Sequence, residues 1–188
     1  MNYEMLINKT NKITQKKSDN ISFSKVKDIE GKEILVEKET LKAYRALKKE
    51  MRSRGLMIGI ISAYRSLKEQ RKTIADLLEK YDEEYVRKIA APVGASEHHT
   101  GLAIDISIHR NKKFIAENED LYANEDVYKR IHCVLPEFGF ILRYPEGKTE
   151  ITGYNYEPWH IRYVGIKLAR IIFDEGIVLE EYYENTIE

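Results

Sequence analysis

A single cysteine in 188 residues excludes an internal disulfide framework. That residue, Cys133, stands beside Ile131, Val134 and Leu135. Such company predicts a buried thiol in a helix, not a nucleophile. Net charge is also missing: 31 basic residues balance 31 acidic ones. The chain therefore has no general attraction for nucleic acid or an anionic membrane surface, and it carries no block of Lys and Arg. No stretch approaches the ~20 apolar residues that a membrane span needs, so no membrane anchor is expected. The opening segment MNYEMLINKTNKITQKKSDN holds no apolar stretch of secretory length. Together with the leading Met1 this predicts a cytoplasmic protein. Internal repeats and low-complexity tracts are absent.

What is present suits one domain spanning 1–188, with residues 1–20 as a polar, extended arm. In TLKAYRALKKEMRSRG (40–55), Leu41, Tyr44, Leu47 and Met51 fall on one helical face, and Gly55 is placed to end the helix. LMIGIISAY (56–64) has the length and composition of a strand. SLKEQRKTIADLLEKY opens with Ser66 and Glu69 at the spacing of a capping box, which predicts a helix. GLAIDISI (101–108) alternates like a strand. Residues 124–139 read as one helix with Pro136 near its end. FILRY and WHIRYV read as strands, and GIKLARIIFDEG and LEEYYE as closing helices. Without a βαβ rhythm, the prediction is an α+β fold: a small, mostly antiparallel sheet flanked by helices.

Chemistry concentrates around the histidines, of which there are five. Two stand together in SEHHTGLAID (96–105). On the strand that follows, Leu102, Ile104, Ile106 and Ile108 share one face, and Ala103, Asp105 and Ser107 share the other. Asp105 alone would most simply face water, but small Ala103 beside it leaves room for a ligand or another side chain. In EPWHIRYV (157–164), Trp159, Ile161 and Tyr163 point one way and His160, Arg162 and Val164 the other. Glu157 precedes His160 by three residues, with Pro158 stiffening the backbone between them. An imidazole ligand near a carboxylate that does not bind the metal is what a zinc hydrolase needs. His98, Asp105 and His160 make three N/O ligands with a fourth position open, the pattern of a catalytic site. A structural zinc ribbon is not available with one cysteine.

Three blocks, SAYRSLKEQ (62–70), SEHHTGLAID and EPWHIRYVG, resemble in this order the VanY-type D-alanyl-D-alanine carboxypeptidases and their VanX-type and L,D-peptidase relatives. The resemblance runs from about 56 to 166 and is closest to the VanY and VanXY subgroup over 139–165. It implies one zinc ion per chain, held by His98, Asp105 and His160. It selects His98 over His99, which is left as a residue behind the metal or at the rim of the site. His109 and His132 match no ligand position; they read as a strand-end and a helix-surface histidine. Glu157 becomes the general base and Arg65 the cation that stabilises the developing oxyanion.

Gln70 lies on the apolar face of its helix, where a buried amide must find partners. The resemblance gives it a part in holding substrate, with Ser96, Tyr64 and Ser62 as further contacts. The implied substrate is a small peptide ending in D-Ala, either the free D-Ala-D-Ala dipeptide or a peptidoglycan precursor. An L,D-carboxypeptidase or another cell-wall peptidase of the same fold is the alternative. A zinc-binding module without catalysis is a more distant one, because such a module has no use for Glu157. Residues 109–124, polar and rich in turns, are the expected lid of the pocket. The sequence carries no sign of an oligomeric state.

Overall fold

A computed structural model describes residues 2–14 and 20–187. Strands Phe23–Lys27 (β1) and Glu33–Glu37 (β2) form an antiparallel hairpin. Its turn is closed by Asp28, whose Oδ1 accepts the backbone N–H groups of Glu30 and Lys32. Helix Lys38–Ser53 (α1) follows at once. The side chain of Glu37 caps it by accepting from Thr40 N at 2.8 Å.

The main sheet is built from Ile58–Ser62 (β3), Ala103–Arg110 (β4), Phe140–Leu142 (β6) and His160–Tyr163 (β7), ordered β3-β4-β7-β6. Every pairing is antiparallel, and the short strand Lys113–Phe114 (β5) pairs with the end of β4. The expected α+β class with a small antiparallel sheet is what the chain forms. Leu41, Tyr44, Leu47 and Met51 of α1 pack in one buried cluster with Ile58, Ile60, Ile104, Ile106 and Ile108 of the sheet. One face of β4 is thereby committed to the core. Its other face, with Ala103 and Asp105, is left for polar chemistry.

Helix Leu67–Leu78 (α2) begins with the full capping box of Ser66 and Glu69. Glu83–Ile89 (α3), a 3₁₀ turn at Glu97–Thr100, Asn118–Tyr122 (α4) and Glu125–His132 (α5) lead on to a second 3₁₀ turn at Leu135–Phe138. The expected continuous helix over 124–139 is thus broken, because Pro136 has no N–H to extend the ladder and starts the second turn instead. Thr149–Thr152 (α6), Ile166–Glu175 (α7) and Leu179–Ile187 (α8) complete the chain.

Three further expectations need correction. Cys133 is exposed, since it caps the C-terminus of α5 where the apolar stripe has turned away. His132 is half-buried, and its Nε2 donates to Pro158 O at 2.8 Å. The opening segment lacks regular structure as expected, but it is no free arm where it is described: Ile7 and Ile13 are buried, and Asn8 Nδ2 donates to Glu180 Oε1. Residues 1 and 15–19 of that predicted arm lie outside the described residues.

Candidate metal and active site

Antiparallel register sets Asp105 of β4 directly opposite His160 of β7. His98 comes from the 3₁₀ turn just before β4. That turn is capped by Ser96, whose hydroxyl accepts from His98 N, and it ends at Gly101 with φ 66°. A β-carbon on Gly101 would lie 2.7 Å from the Phe23 ring and 3.0 Å from Glu37 N, so the hairpin and this turn fit closely only with glycine. Ligand atoms of His98, Asp105 and His160 all lie within 4.8 Å of one another. The predicted triad converges.

Tautomers follow from the partners. His98 Nδ1 must donate to Ala63 O, 2.5 Å away, because a carbonyl only accepts. Its Nε2 is then the nitrogen that faces Asp105, 3.1 Å from Oδ2. His160 Nδ1 lies 2.9 Å from Asp105 Oδ1 and 3.8 Å from Glu157 Oε2. Burial would lower the proton affinity of His160, but the carboxylates of Asp105 and Glu97 beside it overcome this and push the ring up to about 10. Burial likewise opposes ionisation of Asp105, yet the neighbouring His98 and His160 hold it well below the usual carboxylate range. A point that grips a proton this strongly, between two imidazoles and a carboxylate, fits a divalent cation. Two nitrogens and one oxygen suit zinc.

Behind the triad lies a charge cluster that the motif reading missed. Glu97, fully buried, accepts at Oε1 from Arg143 Nε (2.8 Å) and Arg162 Nη1 (2.7 Å). Arg143 spends its other two nitrogens on Glu180 of α8. Arg162 Nη2 donates to the backbone carbonyls of Tyr3 and Met5. Ala103 stands opposite Arg162 in the register, so the space beside Asp105 serves this guanidinium. Nothing in SEHHTG itself marks Glu97 as buried, since an isolated Glu in a sequence reads as surface.

The triad opens into a pocket of about 310 Å³, lined among others by Arg65, Gln70, Ser96, Glu157, Tyr144 and Trp159. Asn118 and Tyr122, from the predicted lid segment, line it too. Tyr144 stacks on His160 with ring centroids 4.8 Å apart. The Glu157 side chain is 30% exposed. Its partial burial, and then the charges of Asp105 and Glu97, outweigh the pull of His160 and push it up to about 7.

Arg65 is half-buried at the end of β3. Its Nη1 donates to Gln70 Oε1 at 3.0 Å and its Nη2 reaches Ser62 Oγ at 3.5 Å. Gln70 is 1% exposed and gives its amide N–H to Ala91 O at 2.7 Å. Both of its polar ends are therefore engaged within the protein, and it holds Arg65. Tyr64 does not line the pocket: its ring packs on Phe23, 4.3 Å between centroids. Ser62 likewise supports Arg65 and stays off the pocket lining. His99 is fully buried, not at a rim. Its Nδ1 donates to Arg65 O, and its Nε2 accepts from Gly94 N.

Residues 33–166 match the family VanY: D-alanyl-D-alanine carboxypeptidase. The chain belongs to this family. VanXYC of Enterococcus gallinarum, a bifunctional D-Ala-D-Ala dipeptidase and carboxypeptidase, is 34% identical over 193 residues, covering 98% of this chain and 95% of that one. YodJ of Bacillus subtilis (strain 168) is 35% identical over 154 residues, covering 79% of this chain, and the chain spans only 54% of its length. Among solved structures, the LD-carboxypeptidase LdcB superposes with a TM-score of 0.82 at 31% identity, covering 95% of this chain and 84% of that one. A VanY from the VanB-type resistance cassette, solved in complex with Zn(II), superposes with a TM-score of 0.75 at 29% identity, over 97% and 99% of the two chains.

Proposed function

We propose that the protein is a zinc-dependent D,D-peptidase that cleaves the D-Ala-D-Ala bond of soluble peptidoglycan precursors and of the free dipeptide. The observation that carries this reading is the convergence of His98, Asp105 and His160 on one point, with Glu157 beside them in a pocket. Zinc held by His98 Nε2, Asp105 and His160 Nδ1 would supply the positive charge that acidifies a water and polarises the scissile carbonyl.

The chain's own residues do the rest. The Glu157 carboxylate takes the proton of the attacking water and passes it to the leaving amine. Arg65, held in place by Gln70 and Ser62, meets the negative charge that grows on the carbonyl oxygen. Tyr144 and Trp159 wall the pocket. The near-full mutual coverage with VanXYC supports both dipeptide and precursor as substrates of a single domain. A second reading, L,D-carboxypeptidase, is favoured by the close superposition on LdcB.

D-Alanine release from D-Ala-D-Ala, from a pentapeptide ending in it and from an L,D-tetrapeptide separates these readings. The first two should be cleaved, chelator should abolish cleavage, and zinc should restore it. Cleavage of the tetrapeptide alone would establish the L,D reading, and indifference to chelator would remove the metal from the reaction.

A further inference from the structure

Among the described residues, two buried polar atoms at the site have no hydrogen-bond partner: His160 Nε2 and Glu97 Oε2. They face one another at 3.5 Å. An orphaned buried polar group is costly, so each is the natural partner of the other. Glu97 cannot turn away, because its Oε1 is already shared by Arg143 and Arg162, both fully buried.

We propose that Glu97 is a positioning residue for the metal site: its Oε2 accepts the Nε2 proton of His160, which leaves the Nδ1 lone pair aimed at Asp105 and Glu157. The inference rests on the metal reading above and names a residue to which that reading gives no part. The carboxylate performs two tasks. It selects the ring tautomer, since an acceptor on one side of an imidazole leaves the other nitrogen unprotonated in the neutral form. It also fixes the ring plane, which Tyr144 supports by stacking on the ring. A ligating histidine whose other nitrogen donates to a carboxylate is a stronger and better-aimed ligand. The two arginines, 2.8 and 2.7 Å from its other oxygen, hold the carboxylate in this orientation.

Glu97→Gln makes a sharp test. Arg143 and Arg162 only donate, so the new amide must give them its oxygen and turn its NH₂ towards His160 Nε2. A donor there drives the ring proton to Nδ1, where it competes with metal. In chelator competition, zinc affinity should fall about 10–100-fold, while circular dichroism stays that of the folded protein. In zinc-loaded wild-type protein with ¹⁵N-labelled histidine, His160 should show a slowly exchanging proton on Nε2, shifted downfield by the carboxylate. That signal should move in the variant. If Glu97→Gln does not fold, the wild-type ring spectrum decides alone. A His160 proton on Nδ1, or an Nε2 proton exchanging as freely as in imidazole, overturns the proposal even where zinc binds fully. Unchanged zinc affinity in a folded Glu97→Gln variant overturns it too. A wild type that takes up no zinc overturns the metal reading and this inference together.

Discussion

Replacing His98 by alanine removes an imidazole whose Nδ1 is tied to Ala63 and whose Nε2 faces Asp105. Replacing His99 instead orphans Gly94 N–H and Arg65 C=O, on the far side of the turn. Metal analysis of the two variants should therefore give no zinc for His98→Ala and close to one ion for His99→Ala. The second should show a stability loss of ~1–3 kcal/mol per orphaned group in denaturant unfolding. A full metal complement in His98→Ala would sink the ligand assignment. Gln70→Leu tests the support of Arg65. The variant keeps an apolar side chain in a buried position, but it frees the guanidinium. It should lower kcat more than it raises KM, because the charge Arg65 meets is largest in the transition state. Glu157→Ala should keep zinc and lose ~10²–10⁴-fold in kcat. At this scale the grouping of His98, Asp105 and His160, with Glu157 beside them, was legible, because ligand chemistry restricts residue type and spacing. The role of Glu97 was not, since burial of a charge depends on partners at 143 and 162 that no local pattern announces.

The elements most legible in the chain were those whose signals are local. Ser66 and Glu69 mark the start of α2, the apolar stripe marks α1, and alternation marks β4. The β1–β2 hairpin was missed, since its strands mix charged and apolar residues and its turn is built by the side chain of Asp28. That hairpin bears on the site through Gly101, where Phe23 and the backbone of Glu37 close over the turn carrying His98. Gly101→Ala combines a left-handed φ with a contact below 3 Å to the Phe23 ring, so it should cost roughly 1–3 kcal/mol in unfolding experiments. It should also weaken zinc binding, because the turn must shift to make room. A destabilised variant with wild-type zinc affinity would show that the turn and the ligand move independently.

Across the whole molecule, the Glu97 cluster gathers residues that are remote in sequence. Arg143 comes from the end of β6, Arg162 from β7, Glu180 from α8, and the Tyr3 and Met5 carbonyls from the opening segment. Two guanidinium groups and two carboxylates cancel in a volume that water does not enter. Exposed pairs such as Lys25–Glu33 and Arg87–Glu83 behave differently, because dissolved ions surround them. At 0.1 M salt the screening length is about 10 Å in water, but mobile ions cannot interpose themselves between groups packed in contact. With a net charge of zero, the chain as a whole also has little long-range field for salt to damp. Ionic strength should therefore be a weak lever on this protein: raising sodium chloride from about 0.05 to 0.5 M should leave the zinc affinity and the melting temperature nearly where they were. A steep salt dependence of either would mean that the charges beneath the metal site are open to solvent.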